Sequence, residues 1–344
     1  MKRQKLSTIQ LEDLPVEVLL NVLNFLELPD LNRFGQVSKR LKSASLVESL
    51  WQKIILLNKT VSINLVEKIL DRGCKTLCLK SCMLKEASYL LYILDQPFYQ
   101  FGKQVKADKK PGSSQLINLD LYHCELTHEF LETLLSSSHY LKTFSLTDYN
   151  INRFPTDVLH MFYSQNGKTL QTLNLAFTRV LSLEHIELIV KNCTVLKEVD
   201  FSDCCLSIES IHLLAKGITK SIEKFDLAYC SLNFTDAADW CINILVSRCN
   251  KIKSLNLAWN FITDKTLINI KKNLKNTLEE LDISMCSNIT NSELLEMRSM
   301  PKLKILNYFR PLDSNYEDLK KNLPQLTNIH PKEKWKGWYR PRLV

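Results

Sequence analysis

From Cys74 onward the apolar positions repeat one template: an apolar residue, two others, an apolar residue, one other, an apolar residue, two others, then often Cys or Asn and another apolar residue. The copies read CKTLCLKSCML at Cys74, LINLDLYHCEL at Leu116, LKTFSLTDYNI at Leu141, LQTLNLAFTRV at Leu170, LKEVDFSDCCL at Leu196, IEKFDLAYCSL at Ile222, IKSLNLAWNFI at Ile252 and LEELDISMCSNI at Leu278. A degenerate ninth copy, LKILNYF, follows at Leu303, and LTNIHP at Leu326 would close the stack. The third apolar residue of each copy recurs every 25 to 30 residues, with one longer step of 42 between Leu79 and Leu121. Alternation within each copy predicts a short strand, and the stretches between, such as SLEHIELIVKNC at Ser182, have the period of amphipathic helices. A strand and helix of this length cannot bury their apolar faces alone, so the copies must stack. The expected fold is α/β: a curved parallel sheet inside, helices outside, over residues 56–330.

The chain's first apolar stretch, LEDLPVEVLLNVLNFLELPDL from Leu11 to Leu31, follows a different rule. Pro15 suits a helix start, with Asp13 and Glu17 supplying favourable charge. At 100° per residue, Val16, Val18, Leu19, Leu20, Val22, Leu23, Phe25 and Leu26 cover an arc of about 220°, where a helix packed on one core needs about 100°. PDLNRFGQVSKRLKSASL from Pro29 and VESLWQKI from Val47 read as two further short helices. So few residues cannot cover that much apolar surface among themselves. Either these helices cap the open end of the stack, or one side of them meets a second protein. A cap would be most apolar next to Cys74, whereas the widest arc comes earliest.

Composition narrows the classes. With 45% hydrophobic and 24% charged residues the chain of 344 residues is expected to be globular. No apolar run approaches a membrane span and MKRQKLSTIQLED lacks a signal-type segment, which points to the cytosol or nucleus and no membrane partner. The net charge of +8 sits in three segments: a flexible N-terminus over 1–10, a lysine-rich loop over about 96–115 and a basic aromatic tail over 331–344. The remainder is close to neutral, which argues against nucleic acid binding over a broad face. MKRQK reads equally as a nuclear import signal or a solvated terminus.

Of eleven cysteines, Cys82, Cys124, Cys204, Cys230 and Cys286 share one turn position, where a small side chain can bond neighbouring backbone. They are spread along the stack rather than gathered, so no metal site is expected. GxSxG, HExxH, phosphate-loop and dinucleotide patterns are absent, so no catalytic residue and no cofactor is expected.

Candidate binding residues follow from the template. The residue between the last two strand apolar positions faces the concave side: Cys78, Asp120, Ser145, Asn174, Asp200, Asp226, Asn256, Asp282 and Asn307. Four are acidic and none is basic, which favours a partner presenting lysine or arginine. A phosphorylated segment would need an accessory protein to read its phosphate. Two positions after the last strand residue stand Phe177, Asp203, Tyr229, Trp259 and Met285, beside small neighbours. Phe177, Tyr229, Trp259 and Met285, with Asp200 and Asp226, form the expected substrate-binding set; the chain's own tail, with Trp335, Trp338 and Tyr339, could equally cover it.

Leu14-Pro15, Glu17, Leu19, Leu20, LELPDL, Val37, Lys39-Arg40 and Leu50-Trp51 resemble, in order and spacing, the F-box. Its span here is 11–55; Leu41 stands where a tryptophan is common, and Gly35 is expected to loosen the second helix. With the leucine-rich-repeat period behind it, the chain resembles the F-box/leucine-rich-repeat family, and MPKLKILNYF, LKKNLPQLTNI and the basic tail are similar to its cell-cycle member. The resemblance implies a substrate receptor of an SCF ubiquitin ligase, not itself an enzyme. Leu14, Pro15, Val18, Leu19, Val22, Leu23, Leu26, Leu31, Val37 and Trp51 would dock on an SKP1-type adaptor, and through it on a cullin-RING core. The repeats would hold a target protein for ubiquitination and proteasomal degradation, in the nucleus and cytoplasm. The alternative from a different class is a leucine-rich-repeat scaffold or inhibitor with a helical cap.

Overall fold

The structure, a computed structural model, describes residues 10–86, 114–149, 156–178, 181–230, 235–309, 319 and 321–323. Nearly all of the expected lysine-rich loop, the basic N-terminus, LTNIHP and the tail lie outside the described residues.

Three helices lead the chain: α1 (Val16–Leu23), α2 (Leu28–Val37) and α3 (Lys39–Ser45). Strand β1 (Lys53–Leu57), strand β2 (Thr60–Ser62), helix α4 (Ile63–Asp71), strand β3 (Thr76–Lys80) and strand β4 (Met83–Lys85) follow. Then strands and helices alternate: β5 (Asn118–Tyr122), α5 (His128–Ser137), β6 (Thr143–Leu146), α6 (Thr156–Asn166), β7 (Thr172–Asn174), α7 (Leu183–Asn192) and β8 (Glu198–Asp200). The series continues with α8 (Ile208–Gly217), β9 (Lys224–Asp226), α9 (Thr235–Arg248), β10 (Ser254–Asn256), α10 (Asp264–Leu274), β11 (Glu280–Asp282), α11 (Asn291–Leu295) and β12 (Ile305–Asn307).

Ten of these strands form one parallel sheet in the order β1-β3-β5-β6-β7-β8-β9-β10-β11-β12, and β2 pairs with β4 separately. Register is constant from repeat to repeat, so Cys78, Asp120, Ser145, Asn174, Asp200, Asp226, Asn256, Asp282 and Asn307 form one column, with Ile55 added at its start. Apolar residues on either side of that column, such as Leu173 and Leu175 or Leu255 and Leu257, are buried between sheet and helices. Burying one such side chain contributes about 1.5–3 kcal/mol, and the stack repeats the gain at every copy.

Two devices recur along the stack, one within each repeat and one between repeats. Ser62, Thr127, Ser182, Ser207, Thr263 and Thr290 each cap the following helix by accepting a backbone N–H at its first turn. The turn cysteines bridge backward: the Sγ–H of Cys124, Cys204, Cys230 and Cys286 donates to Leu79 O, Leu175 O, Phe201 O and Leu257 O at 3.0–3.2 Å. Asn260 does the same through Nδ2–H to Leu227 O at 2.8 Å.

The N-terminal elements differ from the sequence reading. The single short helix expected from Pro29 divides at Ser38, whose backbone is extended at φ −155 and whose hydroxyl caps α3. VESLWQKI forms only a 3-10 turn, Glu48–Leu50, before β1 begins at Lys53. KIILLNK is therefore an uncounted copy of the template, too degenerate to read because β-branched and leucine residues fill its outward positions too. Gly35 does not loosen α2: it is buried, and a Cβ there would lie 2.6 Å from Ser45 Oγ, so glycine permits close approach of α2 to α3.

Candidate partner-binding surfaces

The helical module divides its apolar residues into two sets. Leu19, Leu23, Leu31 and Trp51 are buried at 1–5% exposure. The Trp51 Nε1–H donates to Ser45 O at 2.9 Å, and the Arg72 guanidinium stacks 3.9 Å from its ring. These four, expected to touch an adaptor, are buried within the chain, where they build the core of the module. Pro15, Val18, Val22 and Val37 face outward, with Leu14 and Leu26 half-buried. The Leu14 carbonyl accepts a 2.7 Å bond from Arg40, which fixes the chain's entry to α1.

Two outward residues were missing from the expected set. Phe25, at 89% exposure the most exposed large apolar side chain among the described residues, lies just past the end of α1, and Val16 opens that helix. Both lay in the computed arc, but helical geometry alone does not say which part of an apolar arc the rest of the chain covers. Val18, Val22 and Phe25, spaced i, i+4 and i+7, make an outward apolar strip along α1 and just past its end, of a kind that marks interaction surfaces.

At the concave face the midline residues have a structural task. One carboxylate oxygen of Asp200, Asp226 and Asp282, and the amide oxygen of Asn174 and Asn256, accepts the backbone N–H two residues on, at 2.9–3.0 Å. The second oxygen of Asp226 accepts from Asn256 Nδ2 at 2.8 Å. Burial, and then the neighbouring Asp200 carboxylate, push the Asp226 carboxyl up to about 7; burial raises Asp200 as well. The midline is therefore less negative at neutral pH than its count of aspartates suggests.

One residue further on, the backbone turns left-handed. Asn58, Ser81, His123, Asp148, Phe177, Asp203, Tyr229, Trp259 and Met285 all have φ between 50 and 63. The next repeat imposes this geometry: N–H groups of Phe177, Asp203, Tyr229, Trp259 and Met285 donate to Ser202 O, Ala228 O, Ala258 O, Ser284 O and Phe309 O. Asn, Asp and His adopt such a backbone more readily than other side chains, whereas bulky apolar ones there carry strain. The structure thus brings Phe177, Tyr229, Trp259 and Met285 to one sheet edge, with Tyr229 and Trp259 edge to face at 5.8 Å. Asp200 and Asp226 lie in the adjoining column. His123, 6.0 Å from Phe177 and 3.3 Å from the Asp148 carboxylate, extends the row and was not foreseen.

Among the described residues no group of three or more His, Cys, Asp or Glu is placed to hold a metal, and no helix is long and apolar enough to cross a membrane. The Tyr163 hydroxyl and His185 Nε2, 2.6 Å apart, are enclosed in the core, and burial lowers the His185 pKa to about 3.

Comparison with known proteins matches residues 11–57 to the F-box-like family model and residues 100–331 to the model described as the SKP2 LRR domain. Among solved structures, the Rad7 and Elc1 complex in yeast is similar at 16% identity, with 91% of this chain and 85% of that chain covered and a TM-score of 0.45. The leucine-rich repeat-containing protein LegL7 from Legionella pneumophila is similar at 14% identity, with 78% and 88% covered and a TM-score of 0.45.

Proposed function

This chain belongs to the F-box proteins with SKP2-type leucine-rich repeats, and on that premise we propose that it is the substrate-recognition subunit of an SCF ubiquitin ligase. The observation that carries the reading is the outward apolar strip of Val18, Val22 and Phe25 on an F-box-like module. A module that only capped the repeats would turn this strip inward. In this reading the strip docks on an SKP1-type adaptor, which links the chain to a cullin-RING core. The repeats hold a target at the sheet edge, where Phe177, Tyr229, Trp259 and Met285 gather beside Asp200 and Asp226. Large side chains held on a left-handed backbone are costly to keep, and such strain gathers at binding sites.

The chain supplies no acid, base or nucleophile in this role. It raises the effective concentration of target lysines near a ubiquitin-charged enzyme. Target degradation in the cell cycle, in the nucleus and cytoplasm, completes the proposal, supported by the family of the repeats and the basic residues of MKRQK. The test is co-purification with the adaptor. Val22→Glu with Phe25→Glu should lower adaptor affinity by at least about 100-fold, as charge replaces apolar anchors, while thermal stability stays within error. Unchanged adaptor recovery would reject the reading.

A further inference from the structure

Among the described residues the sheet has an open edge that its own sequence does not blunt. Strand β1 ends the strand order and, among those residues, pairs only with β3. Two bonds at its ends fix the phase of that ladder: Thr76 N–H donates to Gln52 O, and Asn58 N–H donates to Lys80 O at 2.8 Å. A parallel ladder uses alternate residues of each strand. Ile54 and Leu56 therefore bond toward β3, and the N–H and C=O groups of Lys53, Ile55 and Leu57 point away from the sheet.

Natural edge strands are usually protected by charge, proline or a bulge. Here Ile55 and Leu57 are each 50% exposed on the side of the concave column, and only Lys53 is charged within the strand. Beside the edge lies a groove of about 730 Å³, between β1 and the α1–α2 corner, with Leu23, Leu26, Leu28, Pro29 and Leu50 among its walls. At its far rim Lys59 pairs with Glu27 at 3.3 Å, whereas Lys53 makes no ion pair among the described residues.

We propose that the β1 edge and this groove accept an extended segment of a partner protein as an eleventh strand, with apolar side chains at alternate positions and a carboxylate opposite Lys53. The main-chain groups of three residues require a strand rather than a helix, and main-chain pairing with alternate side-chain pockets is an established mode of peptide recognition. Charge chooses between a partner and a second copy of this chain. Two β1 strands paired antiparallel about Ile55 would set Lys53 opposite Leu57 on both sides and leave both lysines without a counter-ion. The site does not depend on adaptor docking, so the two proposals fail separately.

The experiment is hydrogen exchange on the full chain with the peptide acetyl-Glu-Val-Thr-Val-Thr-amide at millimolar concentration. Exchange of the Lys53, Ile55 and Leu57 amides should slow by at least about fivefold, as open edge groups become paired, while the Ile54 and Leu56 amides, already bonded to β3, change less. A peptide N-methylated at alternate residues, or one carrying Lys for Glu, should give less than about twofold. Lys53→Glu, on an exposed side chain, should reverse the Glu over Lys preference with no change in thermal stability. Equal protection by the methylated peptide, or no protection by any peptide, would overturn the proposal. So would protection that rises with chain concentration alone together with a dimer mass, which would give the edge to a second copy.

Discussion

Helix α1 leaves Val16, Val18 and Val22 more than 40% exposed, whereas α7 buries Ile186 and Ile189 completely and exposes only Leu183 to that degree. The two helices are close in length and both rich in branched apolar residues. They differ in neighbours. Helix α7 lies against the sheet with α6 on one side and α8 on the other, while α1 has α3 on one side and solvent on the other. Apolarity that reads alike along the chain thus serves cohesion in the repeats and display in the helical module. Within the repeats, display moves to the left-handed turn, the one position per copy whose backbone is fixed by the next repeat and whose side chain is free to vary.

The comparison breaks most severely at the buried side of α1. Leu23→Ala, at a side chain 1% exposed, should cost about 2–5 kcal/mol in denaturant unfolding, in contrast to the stability-neutral changes at Val22 and Phe25. Next comes the link between repeat helices. Asp239, buried at 3%, accepts from the Thr263 N–H and hydroxyl and from the Thr266 hydroxyl. Asp239→Ala should cost about 2–3 kcal/mol and speed amide exchange in α9 and α10 before the rest of the stack. If exchange rose evenly across the chain, the repeats would be one cooperative unit rather than linked neighbours.

A smaller effect depends on pH. The Asp226 carboxyl, about 7 when folded against 3.8 as its ordinary value, binds more protons folded than unfolded between those limits. Stability should therefore fall as pH rises through that window and level off above it. Asp226→Asn keeps a side-chain oxygen for the Ala228 N–H but loses the acceptor for Asn256 Nδ2 at every pH, so it should flatten this slope between pH 4 and pH 8 while lowering the melting temperature at pH 4. The smallest effect separates the two kinds of turn residue. Ser81→Phe should cost about 1 kcal/mol, and Met285→Asn should gain up to about 1 kcal/mol, in urea unfolding. A loss of stability at Met285→Asn would mean that packing, rather than display, holds the methionine there.

Much of the array was legible because its period is one that only stacking satisfies. The phase of LQTLNL or IKSLNL assigns every strand residue a side, and the Cys and Asn turn residues bond back to the preceding repeat as their position implied. The helical module was legible as a surplus but not as a surface: the arc included Leu19 and Leu23 alongside Val22 and Phe25, and only the first two are buried. KIILLNK was missed because a copy with apolar residues at both inward and outward positions shows no alternation.

Local pattern determined the stacked fold, the caps and the face of each strand, because these depend on residues three or four apart or on a period repeated many times. Tertiary structure alone decided which apolar residues of α1 remain outside, which turns carry strained large side chains and how far Asp226 holds its proton. Each of those depends on a neighbour far away in the chain, since burial, backbone twist and electrostatic cost are set by whatever packs alongside and not by the residues next in sequence.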